Sequence, residues 1–142
     1  MTGFLLDTNV VSEPNRPRPN PAVTAWLSQV DERRTFLSAM TLAETRKGIA
    51  KLGSDSRAAR LEILLTGLRH RFQGRILPLD EDVLDRWGRL AGAAEARGVR
   101  LPVIDALFAA TALHHNLVLV TRNVRDMAGT GVALFNPWDD HR

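Results

Sequence analysis

Cysteine is missing from all 142 residues of this chain. Its absence removes disulfides, zinc–thiolate sites and cysteine nucleophiles together, and it suits a reducing cytosol. No apolar run approaches the roughly 18 residues of a membrane span, and no basic segment followed by an apolar core and a cleavage site opens the chain. The expectation is a soluble, cytoplasmic protein with no membrane contact. Internal repeats, low-complexity tracts and domain linkers are lacking too, so residues 1–142 read as one compact domain. A chain of that length buries roughly two-thirds of the surface its unfolded form exposes and needs no staple. Lysine is scarce: among 19 basic residues only Lys47 and Lys51 are not arginine. Arginine's planar fork matches phosphate oxygens. With a net charge of +3 and a sequence pI near 10.5, nucleic acid is a natural partner, although any single arginine also suits a solvated helix face.

Nucleotide-cofactor signals are equally thin. Gly129-Thr130-Gly131 lacks the rest of a dinucleotide fingerprint and precedes a strand instead of following one, and no phosphate-loop Gly-Lys-Ser/Thr occurs. The four histidines, His70, His114, His115 and His141, have no ligand spacing with the acidic positions. His114-His115 at a helix end reads as a dipole-favoured surface pair.

What is present is an alternation of strand-like and helical segments. Apolar runs at Phe4–Leu6, Thr35–Leu37, Arg75–Leu77, Leu117–Val120 and Val132–Leu134 are separated by segments of helical period. That pattern predicts an α/β fold with a parallel sheet covered by helices. Ala22–Val30 places Val23, Trp26, Leu27 and Val30 on one face, and Leu61, Leu64, Leu65 and Leu68 form another stripe. The best-marked helix spans Glu81 to Arg97, capped by Asp80 and stopped by Gly98, with Val83, Leu84, Trp87, Leu90, Ala91 and Ala94 as its core face. Pro14 to Pro21 cannot be regular helix and reads as an exposed connection, and Gly53–Ser56 reads as a turn between helices.

Acidic residues fall where these elements begin or end. Asp7 closes the first strand, where ligands of open α/β sheets gather. Asp7 would also serve as a helix cap, Thr41-Leu42-Ala43-Glu44 spells a capping box, and Asp105, after Pro102-Val103-Ile104, opens the helix Ala106 to His115, whose dipole favours a carboxylate there. After Leu117–Val120 comes Thr121-Arg122-Asn123, and either Asn123 or Asp126 could face the same crevice. Carboxylates converging there would raise one another's pKa unless a hard cation held them ionised. Mg²⁺, or Mn²⁺ in its place, takes oxygen ligands and leaves water positions open for a phosphate. Two phosphate-handling alternatives fit poorly. A phosphoaspartate receiver needs a lysine after a late strand, and a haloacid-dehalogenase phosphatase wants aspartate where Asn9 stands.

Three segments together resemble PIN-domain ribonucleases, most closely VapC-type toxins of the FitB-like subgroup. They are Leu5-Leu6-Asp7-Thr8-Asn9-Val10-Val11-Ser12-Glu13, Ser38-Ala39-Met40-Thr41-Leu42-Ala43-Glu44, and Asp105-Ala106-Leu107-Phe108-Ala109-Ala110-Thr111-Ala112. Gly74–Pro78, Thr121–Asn123 and Phe135–Trp138 look like that subgroup as well. The resemblance implies a three-layer α/β/α sandwich around a five-stranded parallel sheet. It also implies Mg²⁺-dependent hydrolysis of phosphodiester bonds in RNA. Asp7, Glu44 and Asp105 would be the catalytic acids, with Asp7 and Asp105 binding the metal directly and Glu44 taking a second metal or positioning water. Asn123 stands where many relatives carry aspartate and would be a neutral fourth ligand, with Asp126 as a spare. Thr8, Asn9 and Thr121 would orient the carboxylates, and arginines such as Arg46 or Arg122 would steer the RNA backbone. The implied partners are a second copy of the chain and a VapB/FitA-like antitoxin, through which alone operator DNA would be bound.

Overall fold

The computed structural model describes residues 2–139; His141 lies outside them. Five short parallel strands form one sheet in the order β3-β2-β1-β4-β5: β1 Phe4–Leu6, β2 Thr35–Ser38, β3 Ile76–Leu77, β4 Val118–Val120 and β5 Leu134–Phe135. Strand β1 is central, with Leu5 aligned to Phe36 on one side and Leu119 on the other. Every strand's carboxyl end therefore opens on the same edge.

Alternation along the strands divides the core in two. Leu5 and Leu119 point to a cluster with Phe108, Ala109, Ala112 and Met127. Leu6, Leu37 and Val120 point to another with Val10, Leu68 and Phe72. The first lies under α5 (Glu81–Ala96), α6 (Val103–His114) and α7 (Val124–Met127). The second lies under α1 (Thr8–Ser12), α2 (Pro21–Gln29) and α4 (Ser56–Arg71). Helix α3 (Ala39–Leu52) pairs with α4 across the turn containing Gly53 and the N-cap Asp55. The parallel sheet covered by helices is the one expected from the periodicity, and the three layers are those the resemblance implies. Buried alanines on α6 let it lie close on the sheet, as their size predicts.

Two local expectations change, the place of the last strand and the width of the α5 core face. The last strand is Leu134–Phe135 instead of Val132–Leu134, because Gly129 and Gly131 both take positive φ (87° and 84°) and hold Val132 in the preceding turn. Leu84 is 44% exposed, so the core face of α5 is narrower than its apolar spacing implied. The Pro14–Pro21 connection is exposed but anchored: Glu13, only 5% exposed, accepts the Asn20 N–H at 2.8 Å and closes the loop on itself. Trp26 is core as read, edge-on to Phe4 with ring centroids 5.4 Å apart.

Candidate active site

Asp7 leaves the sheet at the end of β1 and caps α1. It is only 5% exposed. One carboxylate oxygen accepts the Thr8 N–H at 2.7 Å, and the other accepts the Thr121 hydroxyl at 2.7 Å. Thr121 follows β4, which pairs directly with β1, and its own hydroxyl also accepts the Asn123 N–H at 2.9 Å. Cap and hydroxyl thus fix both oxygens of a buried acid from two adjacent strand ends.

Burial nevertheless dominates, and it raises the Asp7 pKa from 3.8 to about 6, against the two hydrogen bonds and with help from the charges of Glu44 and Asp105. Asp105, half-buried in the first turn of α6, is also raised, first by burial and then by the charges of Asp126 and Glu44. Asp7, Glu44 and Asp105, from three different elements, therefore share one electrostatic neighbourhood. Asp126 reaches it from its rim through Asp105.

Glu44 has lost its capping-box explanation. Helix α3 starts at Ala39 with Ser38 as its cap, accepting the Met40 N–H at 2.9 Å, which places Glu44 in the second turn. Its carboxylate accepts the Thr8 hydroxyl at 2.6 Å. The Thr41 hydroxyl lies 3.0 Å from that of Thr8. A hydroxyl has one proton, so with Glu44 taking it, Thr41 donates to Thr8. Thr8 therefore joins two acids, through its N–H to Asp7 and through its hydroxyl to Glu44. Thr41 is the contributor that sequence reasoning missed. In the sequence it reads only as the start of a capping box and as part of the Ser38–Glu44 segment, neither of which points to a partner 33 residues away.

Asn123 and Asp126 are both exposed, on either side of the start of α7, and the Asn123 side chain caps nothing. Asn9 carries a buried carboxamide oxygen with no hydrogen-bond partner among the described residues. Arg46 pairs with Glu62 on the exposed surface, both its terminal nitrogens donating to that carboxylate at 2.8 and 2.9 Å. Arg122 lies over the Trp138 ring, 5.2 Å from its centroid. Two roomier clefts, of about 480 and 490 Å³, lie along α4 around Ile63 and include none of the site's acids.

The donor set suits a hard divalent cation. It offers carboxylate and hydroxyl oxygens, among them a buried acid whose ionised form is disfavoured first by burial and then by the charges of Glu44 and Asp105. Among the described residues no three His, Cys, Asp or Glu side chains form a self-sufficient metal cluster.

A parallel sheet in this strand order, with acids collected at its carboxyl edge, is a recognised kind of protein. Residues 4–129 match the PIN domain family, and the chain belongs to it. Toxin FitB of Neisseria gonorrhoeae is 42% identical over 138 residues, 96% of this chain and 99% of that protein. VapC ribonuclease Y4jK of Sinorhizobium fredii is 33% identical over 137 residues, 96% of this chain and 98% of its own. Among solved structures, FitAB bound to an IR36 DNA fragment matches with a TM-score of 0.87 at 39% identity, covering 98% of this chain and 99% of that one. FitAcB from Neisseria gonorrhoeae matches at 0.88 and 40% identity, over 95% of this chain and 98% of its own. No helix among the described residues is long and apolar enough to cross a membrane.

Proposed function

We propose that this chain is a cytoplasmic, Mg²⁺-dependent endoribonuclease toxin of a VapBC-type toxin–antitoxin pair, acting as a single domain over residues 1–142. The observation that carries this reading is Asp7: a buried acid, fixed by Thr8 and Thr121, with Glu44 and Asp105 acting on it at the carboxyl edge of the sheet. Membership of the PIN family and likeness to proteins named FitB toxin and VapC ribonuclease support it.

In this reading Asp7 and Asp105 hold the cation, and Mn²⁺ can substitute for Mg²⁺. The bound ion supplies charge neutralisation for the phosphate and lowers the pKa of water. Asp7 is oriented for its task by the Thr8 N–H and the Thr121 hydroxyl, and Asn123 offers a neutral carbonyl at the rim. Glu44, held through one oxygen by Thr8, presents the other to the attacking water and can take its proton. Attack forms a new phosphorus–oxygen bond as the bond to the leaving ribose oxygen breaks, and that oxygen takes up a proton from solvent to leave as a hydroxyl while Glu44 returns its own to solvent.

The names of the matching complexes support a cognate FitA- or VapB-like antitoxin as partner. An antitoxin arginine entering the acidic edge would plug it by charge-assisted hydrogen bonds. The chain itself would work as a homodimer and meet operator DNA only through the antitoxin.

The test compares wild type, Asp7→Asn and Asp105→Asn on single-stranded RNA with and without Mg²⁺. Cleavage by wild type that needs the ion and falls at least about 100-fold in each variant is expected, as for loss of a group used in the transition state. Equal cleavage by all three proteins ends this mechanism. If calorimetry finds no Mg²⁺ or Mn²⁺ binding and the melting point does not respond to either ion, the chain is instead a catalytically weak module that binds RNA or the antitoxin.

A further inference from the structure

A cleft of about 250 Å³ begins at Glu44 and follows α3 away from the acids, walled by Met40, Lys47 and Lys51 and, across from them, by Ile104. Met40, Glu44, Lys47 and Lys51 recur at helical spacing, so they form one stripe on α3 while Thr41, Thr45 and Ile49 face inward. The far wall is Ile104, the residue before Asp105, and of the site's acids Glu44 lines the cleft.

Its chemistry changes along its length. Near the acids the walls are the half-buried side chains of Met40 and Ile104. Farther on come Lys47 and Lys51, the only lysines in the chain, both exposed and neither in an ion pair among the described residues. Two lysines on a helix face are ordinarily just solvated. Here they line a groove that ends on the acidic centre, while Arg46 on the adjoining face is tied up by Glu62. One helical turn, about 6 Å, separates them along the axis, and Glu44 lies most of a turn before Lys47.

We propose that this cleft holds the RNA strand beside the bond to be cut, with Lys47 and Lys51 on successive phosphates and a base resting against Met40 and Ile104. The inference rests on the ribonuclease reading above. Lysine serves here as a mobile point charge that tolerates any sequence, and the apolar wall accepts the face of any base. The groove would thus set binding and strand direction without setting sequence.

The experiment uses the full chain and a fluorescent single-stranded RNA. Lys47→Ala/Lys51→Ala is compared with wild type and with Arg33→Ala/Arg89→Ala, which removes the same charge from exposed ion pairs elsewhere. For the lysine pair, KM should rise roughly tenfold with kcat changed less than about threefold, and the slope of log K against log salt should fall in magnitude by about 1.4, or roughly 0.7 per lost phosphate contact. The arginine pair should move the slope by much less. Circular dichroism and melting of each variant separate lost contacts from lost folding, and the single Lys→Arg variants should restore binding. If wild type cleaves RNA but the lysine pair leaves KM and the salt slope unmoved, the groove assignment is overturned and the ribonuclease reading stands. Loss of antitoxin inhibition with RNA binding intact would also overturn it, in favour of a protein-binding groove. Failure of wild type to cleave or bind RNA removes both.

Discussion

The two ends of the sheet handle charge in opposite ways. At the amino ends, Arg75 enters just before β3 and its guanidinium donates to the carbonyls of Glu32 and Thr35 at 2.7 Å each, to the Thr35 hydroxyl, and to the Arg71 carbonyl. Glu32 returns ion pairs to Arg71 and Arg75. Glu32, Arg71 and Arg75 there are all partnered. At the carboxyl ends, the same strands deliver Asp7 and Thr121, and helices bring Glu44 and Asp105, so like charges collect around a buried acid with only neutral donors beside it. Paired charge ties segments together. Unpaired like charge destabilises the fold by itself, and such an arrangement has physical sense when a cation or a reaction uses it.

The largest break in that comparison should come from Asp7→Asn. Burial raises the Asp7 pKa above its unfolded value, so the folded state favours the protonated acid. Stability should therefore be greatest below pH 4 as far as this group is concerned, fall as pH rises from 3.8 to about 6, and carry the full penalty above that. The shift corresponds to about 3 kcal/mol. Asparagine keeps one oxygen to cap α1, but its NH₂ then faces the Thr121 hydroxyl and loses the bond that hydroxyl donates, which offsets part of the gain; in chelator-treated buffer at pH 7.5 the variant should still be more stable than wild type, by about 1–2 kcal/mol. Denaturant melts across pH 4–8 check this, and a variant less stable at pH 7.5 would contradict the idea that the carboxylate opposes folding.

Arg75→Ala should show the reverse pattern. Losing its hydrogen bonds leaves several backbone carbonyls unsatisfied, and stability should fall by about 2 kcal/mol. RNA cleavage per folded molecule should hardly change, because the residue sits at the opposite end of the strands. A loss of cleavage comparable to that of Asp7→Asn, measured well below the melting point, would erase the distinction between the two ends.

The smallest effect sharpens the boundary of the acidic end. Asp126 is exposed and acts on Asp105 only through charge. Asp126→Asn should lower the Asp105 pKa and shift the acid limb of the pH–rate profile slightly toward lower pH, with the plateau rate changed less than about threefold. A tenfold loss would make Asp126 part of the working site and displace Asn123 from the fourth position.

How far the sequence could be read depended on how local each signal was. Strands β1, β2 and β4 fall within a residue of their apolar runs, since a buried parallel strand has to be continuously apolar. The α5 cap at Asp80 and its stop at Gly98, with φ of 81°, were equally local. Strand β5 was misplaced because Val132 is buried without being in a strand, and burial alone cannot distinguish the two. The capping-box alternative for Glu44 fails because Ser38 begins the helix three residues before Thr41. Arg46 looked like a free cation until α4 brought Glu62 against it.

By itself, then, the sequence determined the alternation of strands and helices, the absence of thiol chemistry, and which carboxylates lie at element ends. Those properties follow from residue type and short-range period. Only the tertiary structure decided that Thr8 serves Asp7 and Glu44 at once, that Thr41 belongs beside them, and that Asp126 stays at the rim. Hydrogen-bond partners more than 30 residues apart, and a pKa set mainly by burial, depend on which elements become neighbours in space. No local pattern encodes that.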